Sequence, residues 1–167
     1  MTTVSEFIDS DALEACVVSN CPYYREKFRE IATRAGVLHA EIEDTHTGKK
    51  IRRQRSWNWV AFLFAMHWAI YRRQKLLGWG LYFCYSILWI MAFSFPVIDK
   101  AWSGISIGMM VACGWWGNSF LMTTCINVYA QTTSQVDRAQ KSPFSLALVI
   151  ALDVVMMALA YSLFLKG

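Results

Sequence analysis

Charge is scarce in this sequence. Only 17% of its 167 residues are Asp, Glu, Lys or Arg, where an ordinary soluble domain carries about 25%. In their place stand 56% hydrophobic and 15% aromatic residues, with a mean hydropathy of +0.31. That composition excludes a disordered chain and argues against a soluble globule. At this length the sequence holds one domain or one small membrane bundle. It also lacks the signatures of known chemistry: no Gly-rich phosphate loop, Ser-His-Asp set, paired-His zinc motif or carboxylate dyad is present. An enzymatic activity therefore has no support, and no cofactor is expected.

Two further absences concern topology. Residues 1–10 contain Glu6 and Asp9 and have neither a basic stretch nor an apolar run, so they do not read as a secretory leader. The N-terminus is expected to stay in the cytoplasm. Residues 49–75 hold eight bases and no acid, whereas residues 1–48 hold nine acids and four bases. The remaining 92 positions carry four bases and three acids. The net charge of +4 is thus a topology signal, not the folded basic surface that nucleic acid requires. No nucleic-acid partner is expected.

Five cysteines are present. Cys84, Cys113 and Cys125 lie in apolar stretches, where cysteine behaves as a small hydrophobe. Cys16 and Cys21, with His39 and His46 downstream, lack the spacing of a zinc site and have no second Cys pair. Reduced cytosolic thiols, and no metal, are expected.

The polar head, residues 1–48, reads as helical. Asp9 to Val18 forms a short helix broken near Ser19 to Pro22, and Tyr23 to Ala35 runs as a second helix ending at Gly36. Tyr24, Phe28, Ile31 and Ala32 repeat at helical spacing and make one apolar face. That face packs against its neighbours or the membrane surface, or else docks a partner. Thr47-Gly48 signals a turn, so residues 37–51 read as an extended linker or short hairpin.

The middle of the chain, residues 49–75, reads as a membrane anchor. Lys49, Lys50, Arg52, Arg53 and Arg55 directly precede Trp57 and Trp59, and Tyr71, Arg72 and Arg73 follow. Bases beside interfacial aromatics fit contact with anionic lipid headgroups. The 15 apolar residues of 57–71 cover about 22 Å, too little to cross a core of about 30 Å. If they do not cross, ten bases face the cytoplasm and only Lys100 and Lys166 lie outside. Charge counting thus favours a re-entrant or interfacial helix.

Residues 76–167 contain three stretches of sufficient length, at about 76–98, 104–128 and 144–165. The expected fold is an all-α membrane protein: three transmembrane helices, a re-entrant or interfacial aromatic helix, and a small helical cytosolic head.

The run Ser56-Trp57-Asn58-Trp59-Val60-Ala61-Phe62-Leu63-Phe64, followed by Trp68, Tyr71 and Arg72, resembles the signature of a bacterial membrane family catalogued as domain of unknown function 2628. Tyr23-Tyr24-Arg25-Glu26-Lys27-Phe28 is similar to the tyrosine-rich helix start that precedes the motif there. The resemblance covers about residues 20–100. This chain departs from it in carrying Ala65-Met66 where members often have Gly-Pro, which leaves a helix break there open, and in a longer insert at 41–50. The family has no agreed activity, so the resemblance implies architecture and a bacterial inner membrane.

Within the apolar region, Asp153 stands near the middle of the last span. A charge there costs roughly 3 kcal/mol on insertion scales, so the side chain must face protein or be protonated. It serves as a proton or cation relay, or bonds a neighbouring helix through Asn118, Thr123 or Thr124. Gly104, Gly108 and Ala112 form a small-residue stripe that permits close helix packing, within the chain or between copies. Trp115-Trp116 beside Gly114 and Gly117 is unusual in mid-span and points to a helix break or a cavity. His67 reads as a hydrogen-bonded structural histidine.

These readings lead to a non-enzymatic, multi-pass inner-membrane protein with a cytoplasmic N-terminus. It acts as an assembly, docking or accessory subunit that meets anionic lipid headgroups and a protein partner or a second copy of itself. The alternative is a small oligomeric transporter or channel using Asp153.

Overall fold

The computed structural model describes residues 2–17, 19–44, 46–131 and 143–164. They form helices α1 (Val4–Asp9), α2 (Asp11–Val17), α3 (Cys21–Ala35), α4 (Thr47–Arg52), α5 (Trp59–Tyr71), α6 (Lys75–Ser94), α7 (Pro96–Gln131) and α8 (Pro143–Phe164). Among the described residues there is no strand beyond one isolated bridge between Thr3 and Glu41. The fold is all-α, as the composition implied.

Local sequence explains most helix ends. Thr3 and Glu6 form a capping box at the start of α1, each side chain taking the other residue's backbone N–H. Pro22 sits in the first turn of α3, where its missing N–H is harmless. Gly36 closes that helix with φ of +66°, a conformation open to glycine at little cost. Asn58 caps α5 by accepting the Ala61 N–H at 2.9 Å.

Several boundaries differ from the sequence reading. The first head segment is two helices, because Ser10 turns the chain at an extended ψ of 161°. The expected linker at 37–51 is partly helical: Asp44 accepts the His46 N–H and α4 starts at once, so Thr47-Gly48 lies inside a helix. The link between the first two apolar stretches is shorter than expected. α6 ends at Ser94, and α7 begins at Pro96 and takes in Asp99 to Ser103. The expected loop at 129–143 falls mostly outside the described residues.

Packing centres on α7. The head's core of Phe7, Leu13, Phe28 and Ile31 continues into Leu121, Met122 and Ile126 of that helix. With 36 residues α7 is about 54 Å long, and the head wraps its last turns. The Tyr24, Phe28, Ile31 and Ala32 face is buried in this core, so it does not serve as a docking surface. α8 packs against α5 along one edge, where Val149 joins Met66, Ile70 and Tyr82. Many of its other large residues, including Phe144, Val154, Met157 and Tyr161, are exposed.

One helical stretch among the described residues, Lys100–Ala130, is long and apolar enough to cross a membrane by length and composition. The apolar stretches Trp59–Tyr71, Leu77–Ala92 and Pro143–Leu159 are shorter. Three spanning helices are therefore not established by length and hydropathy alone.

Candidate functional site

Two polar constellations lie inside this otherwise apolar architecture. The first joins head, α5 and α7. Asn118 of α7 is fully buried. Its carbonyl oxygen accepts from the Asn58 amide at 2.7 Å, and its own amide donates to Ser56 Oγ at 3.2 Å, Tyr23 Oη at 3.3 Å and the Trp57 carbonyl at 3.3 Å. The Ser56 and Asn58 backbone N–H groups, which no helix satisfies, donate to Trp115 and Gly114 carbonyls, both at 2.8 Å. Backbone can approach α7 this closely because Gly114 and Gly117 lack side chains. A Cβ at Gly117 would stand 2.8 Å from that of Ala61, and one at Gly114 2.9 Å from that of Phe62.

At the other end of α5, Arg72 is buried. It donates to the Val17 carbonyl and to Tyr24 Oη, both at 2.8 Å, and stacks over the Tyr24 ring. Burial pushes the Tyr24 phenol above its ordinary pKa, while the Arg72 charge opposes the shift. Asn58 reaches the same phenol, so both ends of α5 converge on it. A straight helix of 13 residues would hold its ends about 20 Å apart. The chain turns at Ala65 instead, with φ of +38° and ψ of −111°. A break at Ala65-Met66, left open by the sequence, is present without glycine or proline.

The second constellation is a hydrogen-bonded pair between α5 and α8. His67 Nε2 lies 2.7 Å from Asp153 Oδ2. The expected partners of Asp153 are occupied elsewhere: Asn118 in the junction, and Thr123 and Thr124 on carbonyls of their own helix. The pairing of His67 with Asp153 was hidden in the sequence, where the two stand 86 residues apart.

The remaining candidate residues separate by exposure. Lys49, Lys50, Arg52, Arg53, Arg55 and Arg73 are exposed, as is Trp59. Arg55 stacks over both Trp115 and Trp116. Trp57 and Tyr71 are half-buried. Arg72 departs from the group, since it holds the head and presents nothing to the surface. Gly104 and Gly108 have nothing within 4 Å of where a Cβ would stand, so the stripe they make with Ala112 is not a packing seam within the chain. The seam lies on the other side of the helix, at Gly114 and Gly117. α7 runs unbroken through Trp115-Trp116, and a cavity lies beside Trp116.

Cys16 and Cys125 form a disulfide with Cα atoms 5.9 Å apart, in the usual range. This corrects the expectation that both remain thiols. Cys21, Cys84 and Cys113 are free, and burial raises the Cys21 thiol above its ordinary pKa.

No family model, curated protein or solved structure shows a significant match to the chain.

Proposed function

We propose that this chain is a non-enzymatic, multi-pass protein of a bacterial inner membrane. It serves as an assembly or docking subunit that presents an acidic head on a rigid helical post. The observation that carries the reading is the shared core. The head is built onto the last turns of α7, so it moves with that helix. Its surface carries eight exposed acids, Glu6, Asp9, Asp11, Glu14, Glu26, Glu41, Glu43 and Asp44, suited to a basic partner.

The membrane part of the proposal draws on length and exposure. α6 with 20 residues and α8 with 22 meet the length that about 30 Å of hydrocarbon demands. An α8 exposed on most of its apolar surface is costly in water and at home in lipid. α5, tied to the head at both ends and turned at Ala65, fits a re-entrant element. The ten-to-two distribution of bases then orients the N-terminus inward, and the resemblance to the 2628 family implies a bacterial inner membrane. Anionic headgroups meet the exposed bases of 49–55. Gly104 and Gly108, open along α7, are available to a second copy.

Mass measurement in native nanodiscs, with co-purification, tests this reading. The expected result is a mass above one chain, reduced by Gly108→Leu if copies meet on the stripe, or a partner lost on reversing the head acids to lysine. A lone chain with no partner in either form overturns it. Reporter fusions should place Gly167 outside the cytoplasm.

The His67–Asp153 pair favours a second reading, proton or cation passage through an oligomer. Asp153→Asn keeps hydrogen bonding to His67 but cannot titrate. Wild-type proton flux in proteoliposomes that vanishes in Asp153→Asn, with assembly unchanged, supports passage. Equal, negligible flux eliminates it.

A further inference from the structure

This inference rests on the reading that α6 and α7 lie in lipid. Between α5, α6 and α7 runs a cavity of about 350 Å³ whose walls are almost wholly apolar, among them Leu81, Leu88, Met109 and Ala112. Toward the head it meets a second cavity of about 470 Å³. Leu77, Leu81 and Phe120 line both, so the two adjoin along one groove.

The head-side part is different in chemistry. Its walls include Arg52, Arg73, Gln74 and Thr124. Gln74 is only 5% exposed, and both atoms of its side-chain amide are buried with no hydrogen-bond partner. Arg73 adopts φ of +54° where the chain closes α5, its N–H and that of Gln74 bonding the Ile70 and Ala69 carbonyls. Neither arginine has an acidic partner among the described residues.

We infer that this groove binds one anionic glycerophospholipid. The phosphodiester sits between Arg52 and Arg73, whose guanidinium groups suit phosphate oxygens. Gln74 lines the same wall beside them. One acyl chain occupies the apolar length of the groove. A peptide would bring backbone amides into walls that offer them no partner, and a free phosphate would leave the apolar part unfilled. The site lies on the head side, where the proposed topology puts the cytoplasmic leaflet.

The test uses the full chain, purified in detergent, stripped of lipid and given equal phosphatidylglycerol and phosphatidylethanolamine. Native mass spectrometry should find one phosphatidylglycerol retained in preference to phosphatidylethanolamine. The Arg52→Gln/Arg73→Gln double variant removes two exposed charges. It should lower that retention by about tenfold or more, the effect of losing charge-assisted hydrogen bonds. Gly80→Leu should lower it comparably. Gly80 lines the mouth, a Cβ there meets nothing within 4 Å, and leucine favours helix, so the variant folds while obstructing the groove. Equal retention of the two lipids, or wild-type retention in both variants, overturns the inference. Soluble glycerophosphate binding equally to wild type and Gly80→Leu also overturns it, since the groove would then play no part. Extraction of the chain from membranes by alkaline carbonate would instead refute the membrane reading, whatever the lipid result.

Discussion

Gly117 and Gly108 are nine positions apart on one helix, yet a methyl group added to each should act oppositely. At Gly117 the new Cβ would stand 2.8 Å from Ala61 and 3.2 Å from the Trp68 ring. Overpacking of that kind costs about 1–3 kcal/mol, so Gly117→Ala should lower the thermal midpoint in detergent. Gly108→Ala meets nothing and gains helix propensity, so the midpoint should hold or rise. Ala65 offers the opposite test. Its φ of +38° strains an L-residue by about 1–2 kcal/mol, and glycine removes the strain. Ala65→Gly should therefore stabilise the chain by about 1 kcal/mol, read as a higher midpoint. A destabilised Ala65→Gly would mean that the alanine methyl packs better than its backbone strains. The sequence flagged Gly114 and Gly117 only as neighbours of an odd tryptophan pair. Nothing in their spacing separates them from Gly104 and Gly108, because the stripe does not say which face meets α5.

At the scale of elements, α3 carries the head's visible electrostatics. The Lys27 ammonium, through its hydrogen bond, and then Arg34 hold the Glu30 carboxyl below the usual carboxylate range. The same bond raises Lys27 above the ordinary lysine value. The signs follow. Glu30, depressed in the folded state, contributes stability above its unfolded pKa and loses it as pH falls through the folded one. Lys27, raised, contributes below its unfolded pKa and loses that contribution as pH rises through the folded value. Across neutral pH both are present in full. Glu30→Gln should therefore flatten the acid limb of a stability–pH profile and leave the alkaline limb set by Lys27 without its charged partner. An unchanged acid limb would show that the exposed pair is screened to nothing. The α3 helix was legible from Pro22, Gly36 and the spacing of its apolar residues. The break in α5 was not, since Ala65 and Met66 are good helix formers and only the ties at both ends force the turn.

For the whole molecule, the decisive fact is that the head borrows its core. Removed from Leu121, Met122 and Ile126, residues 1–48 approach the length at which chains rarely hold a core unaided. The isolated fragment should show no cooperative thermal transition, and a sharp one would contradict the shared core. The Cys16–Cys125 bond adds a second tie across 109 residues of separation. Its loss should cost about 5 kcal/mol by the loop-entropy account, measurable as a lower midpoint in Cys16→Ser/Cys125→Ser. The bond also reports topology, because a cytoplasmic head sits in a reducing compartment. Cells lysed in alkylating agent should yield both cysteines as thiols if the head is inside. A bond found intact under those conditions would place the head outside and reverse the proposed orientation.

The sequence by itself determined the helical class, the apolar and polar regions, and the basic segment between them. Each of these is a property of residues counted or spaced along the chain. Tertiary structure decided which residues meet. It paired His67 with Asp153, Cys16 with Cys125 and Asn58 with Asn118, and it buried Arg72 away from the surface that its neighbours share. It also set an unpartnered Gln74 at the mouth of an apolar groove. Such pairings depend on how far each helix turns before it touches another, and at about 100° per residue Gly108 and Gly117 stand on opposite faces of α7. Periodicity fixes that a helix has a face; only the packing of α5 against Gly114 and Gly117 fixes where the face points.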